Sequence, residues 1–414
     1  MQSRIDYAKE LYAKLGVDVD KAVDTLMNVK ISVHCWQGDD VAGFEAGSSL
    51  SGGIAATGNY PGKARTAAEL MADIDEMLKF IPGKHKINLH AIYASDLEAG
   101  VTRDKLEPKH FAGWVKFAKE RGLGLDFNPT LFAHENLKDN LTLSHPDAKI
   151  RKFWVDHCIA TRRIAEYFGK ELGQACLHNI WIPDGFKDVP ADRMGPRRRL
   201  KESLDAIYSV KLDKDCIVDA VESKVFGIGV ESYTVGSHEF YLNYANQNGI
   251  SCLMDNGHYH PTEVVSDKIS SMLLFFDKIS LHVTRPVRWD SDHVVTYNDD
   301  LVELSKELVR CGLDKVMIGL DYFDASINRV AAWVVGVRNM QKALLYALLF
   351  PNGKLQQAQD AADYTQLLVM TEELKSYPLG DVWAYFCEKA GVVGGAEWYD
   401  AVKKYEADVL VKRG

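Results

Sequence analysis

No two cysteines of this chain stand at a metal or redox spacing. The seven, at positions 35, 158, 176, 216, 252, 311 and 387, are single and odd in number. That excludes a CxxC motif and argues against a full disulfide framework, so they read as small apolar core residues. Long hydrophobic runs are missing too. The longest, such as ALLYALLF at 343–350, falls far short of the ~20 residues a spanning helix needs. The N-terminal MQSRIDYAKE has no apolar stretch behind its positive charge, unlike a secretory signal, and a cytoplasmic location is expected. Positive charge is in deficit, with 49 Lys and Arg against 58 Asp and Glu and a formal net charge of -9. This disfavours nucleic acid or an anionic membrane as partner and favours a small uncharged or cationic molecule. Repeats, low-complexity segments and an interdomain linker are absent. The glycine-rich SLSGGIAATGNYPGKAR (49–65) carries Ala64 where a phosphate loop has Ser or Thr, so it reads as a lid over a site or as a plain loop.

What the chain does have is apolar content and alternation. Its 414 residues are 47% hydrophobic and 26% charged, enough for a large core. Eight short apolar runs read as buried parallel strands: 31–36, 86–93, 123–129, 176–183, 217–224, 251–258, 279–286 and 315–323. Helical patterns with apolar residues three and four apart fill most of the intervals, at 67–81, 108–121, 146–172, 197–210, 262–275, 300–311 and 326–349. The interval 225–249 is less regular, and EFYLNYANQ within it reads as a short helix after a loop. The pattern predicts an α/β fold, a (β/α)8 TIM barrel. One added helix is expected over 6–27, within a catalytic domain spanning 1–350, with a helical extension over 351–414.

Strand parity carries the functional signal. In ISLHVTRP, Ile279, Leu281 and Val283 share one face, which turns His282 to the barrel interior. The same parity turns His34 and Trp36, Asn88 and His90, Asp126 and Asn128, Asn179 and Trp181, and Glu222 and Lys224 inward. Barrel interiors are normally filled by branched apolar side chains, and the C-terminal face carries the sites of barrel enzymes. Polar residues gathered there read as an active site.

The later strands carry the densest chemistry, in VESK (221–224), DNGH (255–258), LHV (281–283), DSD (290–292) and GLD (319–321). These bring Glu222, Asp255, Asp290, Asp292 and Asp321 to one rim with His258, His282 and Lys224. So many anions repel unless divalent ions neutralise them, and two such ions leave a small negative balance that Lys224 offsets. Oxygen-rich ligation with an imidazole at each position suits Mn2+, with Zn2+, Co2+ and Mg2+ as alternatives. Alone, the DSD pair could be a solvated turn or a helix cap, and His282 a hydrogen-bonded core residue. Their convergence on neighbouring strands favours the metal reading.

These residues resemble the sites of the xylose isomerase-like barrels. Within that group, HCWQGDD, GGIAATGNYPGKAR, NIWIPDG, SYTVGS, GHYHPTEVVSD, RPVRWDSDHVV and GLDYFDASINR closely resemble the L-rhamnose isomerase family over nearly the whole chain. The resemblance implies one metal held by Glu222, Asp255, His282 and Asp321, and a second held by His258, Asp290 and Asp292 with Asp255 shared. His293 falls between inward positions and is left out. Interconversion of L-rhamnose and L-rhamnulose by a homotetramer is implied as well.

For such a reaction, two metals would polarise the carbonyl and the C2 oxygen together. With nearly every carboxylate committed as a ligand, a hydride shift from C2 to C1 is expected. Asp321 would orient the water or hydroxide that takes the hydroxyl proton, although Lys224 or another acid stays available for that role. Lys224, His90 and Trp181 are expected to hold or stack on the sugar, and Trp36 and Phe127 to form an apolar wall near its methyl group. Two other classes remain: a metal-dependent hydrolase or phosphodiesterase on a similar barrel, and a non-catalytic sugar or metal binder. The first would want basic residues at the mouth for phosphate, and the second has little use for seven ligands on open positions.

Overall fold

Each of the eight apolar runs forms a strand, and each strand ends before its sequence pattern does. The structure, a computed structural model, describes residues 3–45, 56–225, 227, 229–288 and 292–413. In chain order the strands are β1 (Lys30–His34), β2 (Lys84–His90), β3 (Gly124–Asn128), β4 (Cys176–Ile180), β5 (Gly185–Phe186), β6 (Ile217–Glu222), β7 (Tyr233–Thr234), β8 (Ser251–Asp255), β9 (Ile279–Val283) and β10 (Val316–Leu320). Omitting β5 and β7, they close a parallel barrel in the order β1, β2, β3, β4, β6, β8, β9, β10, and the seam pairs Ile31 with Ile318. β5 and β7 pair antiparallel beside the barrel, a small element that four apolar or small residues do not announce in the sequence.

Two helices precede the barrel, α1 (Arg4–Lys14) and α2 (Val19–Asn28). The single helix expected over 6–27 is thus broken. Gly16 adopts φ +79 and Asp18 caps the second helix by accepting from the Lys21 N–H, so the chain turns between them. Around the barrel run α3 (Ala67–Leu78), α4 (Ala112–Arg121), α5 (Ala148–Leu172), α6 (Met194–Ser209), α7 (His238–Asn248), α8 (Ser266–Met272), α9 (Asp299–Cys311) and α10 (Arg329–Leu348). α7 occupies the irregular interval. The C-terminal helices are α11 (Asn352–Asp360), α12 (Tyr364–Glu373), α13 (Leu379–Lys389) and α14 (Trp398–Asp408). α13 packs on α1, α2 and α10, and the penultimate Arg413 grips Asp73 of α3 through two hydrogen bonds of 2.6 and 2.8 Å.

The interior is layered. Low in the barrel lies an apolar floor of Leu177, Ala220 and Leu253 with Val218 and Met317. Two polar pairs cross between neighbouring strands there, Lys86 with Asp126 at 2.7 Å and the hydroxyls of Ser251 and Ser280 at 2.9 Å. Above the floor the inward positions turn polar: Asn88, Asn128, Asn179, Glu222, Asp255 and His282 are all buried. Outward residues such as Ile279, Leu281 and Val283 join the main core under the helices.

Three buried imidazoles outside this layer fix a stability expectation. Burial pushes His85 down to about 4, His157 down to about 3 and His178 well below the ordinary range. Because the folded values are depressed, the unfolded chain takes up protons the native chain refuses once the pH falls below about 6.5, and stability is lost from there toward pH 4. His157 accepts from the Thr130 N–H at 3.0 Å through Nε2 and meets the Arg103 carbonyl at 2.9 Å through Nδ1. A glutamine can serve both groups without titrating. Urea unfolding is expected to show lower stability at pH 5 than at pH 7.5, with the gap narrowed by on the order of 1–3 kcal/mol in His157→Gln.

Candidate metal and sugar site

The shortened strands explain how the rim is built. β1 ends in a single 3-10 turn at Cys35–Gln37, and β8 in another at Asn256–His258. Trp36 and His258 therefore project from turns rather than from strands, one step beyond where simple alternation holds. Glu222 and Asp255 are the last residues of β6 and β8, His282 is the penultimate residue of β9, and Asp321 follows β10. Gly319 makes room beside them, since a Cβ there would lie 3.1 Å from the His282 ring.

Glu222, Asp255, His282 and Asp321 each bring one ligand atom into a group whose members all lie within 4.8 Å of one another. Asp255, His258 and Asp292 form a second group by the same measure. Asp255 belongs to both. His282 Nδ1 lies 3.3 Å from a carboxylate oxygen of Glu222 and 3.3 Å from one of Asp321. His258 Nδ1 lies 3.2 Å from Glu222 Oε1. Asp255 Oδ2 and both ring nitrogens of His282 are buried with no hydrogen-bond partner among the described residues. Orphaned buried donors and acceptors that converge in this way are costly unless something binds them.

The electrostatics ask for positive charge at the same point. Burial pushes the Asp255 carboxyl well above its ordinary range; the charge of the His258 imidazole pulls it back, and the charges of Glu222, Asp321 and Asp292 push it up again. Burial opposes ionisation of Glu222, but the charge of His282, followed by the hydrogen bond and charge of His258, holds it well below the usual carboxylate range. In the same way, burial lowers His258, yet Asp255 and Glu222 carry it up to about 10. Two imidazoles are serving as counter-ions for a carboxylate cluster. An oxygen-rich donor set with one imidazole in each group fits two divalent cations of the Mn2+, Mg2+, Co2+ or Zn2+ kind.

Above the groups opens a cavity. Its lining combines the polar Glu222, Lys224, His258, His282, Asp292 and Asp321 with the apolar Trp36, Val41, Phe132, Trp181 and Phe323, and His90, Asn128 and Asn179 also line it. Most residues expected from the sequence are thus brought together. Asp255 sits under the cavity floor, within both ligand groups. Asp290 lies outside the described residues, as do positions 49–55 of the glycine-rich segment. The part that is described is pinned: the Tyr60 N–H donates to the Ala325 carbonyl at 2.7 Å and its hydroxyl to Glu406 at 2.8 Å.

One expectation fails. Phe127 does not wall the cavity; its ring packs edge-on against Phe111 at 4.9 Å and Phe168 of α5 at 5.2 Å, beneath the helices. Asp126 and Asn128 take the inward positions of β3, so parity turns the residue between them outward. Phe132, from the loop after β3, supplies the wall instead, 5.5 Å from the His90 ring and 6.2 Å from that of Trp181. It lies beyond the strand, where no periodicity marks it. Trp36 does line the wall, and its indole N–H also donates to Asp321 Oδ1 at 2.8 Å. Val41 adopts φ +61, a costly conformation for a β-branched residue, beside Asp40, which Arg329 holds through two hydrogen bonds. Parity alone marks Asn179 only as inward-facing. Its amide donates to Glu222 Oε2 at 2.5 Å, a supporting contact that composition does not reveal.

With this geometry in hand, comparison with known proteins is decisive. The model of the L-rhamnose isomerase (RhaA) family matches residues 1–413. The chain belongs to the L-rhamnose isomerase family. An L-rhamnose isomerase of Listeria monocytogenes serotype 4a (strain HCC23) is 55% identical over 415 residues, covering 100% of this chain and 99% of that protein. One of Salmonella typhi is 55% identical over 410 residues, covering 99% and 98% respectively. Among solved structures, a D-psicose 3-epimerase of Clostridium cellulolyticum H10 with D-tagatose aligns with a TM-score of 0.47 at 12% identity, over 77% of this chain and 98% of that one. In this L-rhamnose isomerase family member, Asn179 provides a direct check on the ligand geometry. Asn179→Ala is expected to weaken Mn2+ binding by about 10–100-fold, the usual cost of removing a ligand's outer partner, measured by calorimetry on chelator-stripped protein.

Proposed function

We propose that this protein is an L-rhamnose isomerase that interconverts L-rhamnose and L-rhamnulose with two divalent ions, Mn2+ foremost. The observation that carries the reading is the pair of ligand groups sharing Asp255 beside a cavity lined by both polar and aromatic residues. Glu222, Asp255, His282 and Asp321 would hold one ion, and His258, Asp292, Asp290 and the shared Asp255 the other. When bound, the ions supply polarisation of the C1 carbonyl and the C2 oxygen.

The chain's own groups account for the rest. The carboxylates among the described cavity residues all fall within the ligand groups, which leaves no uncommitted acid there to remove a proton from carbon. Hydrogen then passes from C2 to C1 with its electron pair, while the O2 proton is transferred to O1. Asp321 orients the water that relays that hydroxyl proton, its carboxylate fixed in orientation by the Trp36 indole N–H. Lys224 lies 5.0 Å from the centre of the Trp181 ring and donates to sugar oxygens while balancing the residual negative charge. Burial lowers His90 to about 4, so it meets a sugar hydroxyl as a neutral imidazole. The Trp181 indole N–H is buried without a partner among the described residues, which suits a donor to the sugar. Trp36, Val41, Phe132 and Phe323 take the methyl end. No helix among the described residues is long and apolar enough to cross a membrane. The enzyme is proposed to act in the cytoplasm, as a homotetramer.

Purified protein, stripped with chelator, is expected to form L-rhamnulose from L-rhamnose only after Mn2+ is restored. Folded protein that remains inactive with every divalent ion would overturn the assignment. In D2O the hydrogen delivered to C1 is expected to come almost wholly from substrate; full exchange with solvent would replace the hydride shift with an enediol route.

A further inference from the structure

The apolar lining of the cavity is built from loops after different strands, and one buried cation joins them. Arg103, on the segment after β2, is only 3% exposed. Its Nε and Nη2 donate to the Glu45 carboxylate at 3.0 and 2.8 Å, on the loop after β1. Its Nη1 donates to the carbonyls of Thr130 and Phe132 at 2.8 and 2.7 Å, and Nη2 also to that of Ala133 at 3.1 Å, all on the loop after β3. All five guanidinium N–H groups are therefore spent on two neighbouring loops. The same loops carry Val41 and Phe132 into the cavity wall. A second tie fixes the arginine's own backbone, because His157 accepts from the Thr130 N–H and so must donate from Nδ1 to the Arg103 carbonyl.

The geometry points to Arg103, with Glu45, as a positioning pair that sets the spacing of Val41 and Phe132 and so the enzyme's preference for a sugar ending in methyl over one ending in hydroxymethyl. This rests on the isomerase reading above. Ala133, whose carbonyl accepts the last hydrogen bond of the clasp, sits at φ +50, a conformation that a non-glycine residue keeps only where its surroundings hold it. A lysine cannot replace the guanidinium here, since one ammonium has three donors and no planar fork to span a carboxylate and three carbonyls. Among the described residues Arg103 makes no contact with the ligand groups, so relaxing the clasp alters how the methyl end is held and leaves the reacting carbons in place.

The test compares Arg103→Lys and Glu45→Gln with the unmodified, Mn2+-loaded enzyme on L-rhamnose and on L-mannose, its C6-hydroxylated counterpart. The expected result is a rise of about tenfold in KM for L-rhamnose and a fall of about tenfold in the L-rhamnose to L-mannose ratio of kcat/KM, with kcat and Mn2+ affinity within threefold of the unmodified enzyme. Unchanged KM and ratio in folded variants would overturn the proposal. So would a loss of kcat and Mn2+ affinity with the ratio intact, which is the pattern of general damage. Glu45→Gln keeps the side-chain shape and decides the matter if Arg103→Lys does not fold. Failure of the unmodified enzyme to convert L-rhamnose counts against the isomerase assignment alone; the clasp is then judged by the same ratio on the methyl and hydroxymethyl aldoses that it does convert.

Discussion

The crowding of carboxylates at one end of the barrel is the constraint on which the rest of the molecule depends. Two unit charges about 4 Å apart cost about 4 kcal/mol even at an effective dielectric near 20, and this rim holds Glu222, Asp255, Asp292 and Asp321 together. No fold keeps such a cluster by its own hydrophobic burial. It persists because His258 and His282 lie among the acids, because strand ends fix the backbones that carry them, and because the donor set is suited to divalent cations. Chemistry and strain share one address, with a stable apolar floor beneath.

That address is held from outside by a few polar cross-links between loops. Trp36 and Gln37 occupy one 3-10 turn after β1: the first donates to Asp321, and the second both donates to and accepts from the backbone of Asp324. The Phe323 N–H reaches the Asp292 carbonyl at 3.4 Å, which ties the two ligand-bearing loops together. Arg329 holds Asp40 and the carbonyls of Tyr60 and Pro61, and Arg103 does equivalent work on the other side of the mouth. Buried guanidinium groups suit this task, since a planar fork serves several oxygens at once at modest entropic cost.

The site reads from the sequence more clearly than its walls do. Inward parity is a local property of a strand, so Glu222, Asp255 and His282 could be assigned from residues two positions away. Asp321 follows its strand immediately, and His258 closes the short 3-10 turn that follows its own. The apolar wall lies farther along the loops. There parity has lapsed, so nothing in the sequence marks Phe132, while the expected role of Phe127 in the wall runs against its own strand parity. The helix over 6–27 met a similar fate, because its apolar spacing is continuous while the turn at Gly16 and the cap at Asp18 are single-residue events.

By itself the sequence determined the alternation of strands and helices, the direction in which each strand side chain points, and the set of acids and imidazoles that must lie at one rim. Those follow from local periodicity and from charge, which act over a few residues. Only the tertiary structure decided that Trp36 would hold Asp321, that Asn179 would hold Glu222, and that Arg103 would clasp loops on both sides of its own. Those bonds join residues 27 to 285 positions apart. Their geometry exists only once the barrel has closed and brought strands distant in sequence to within hydrogen-bonding reach.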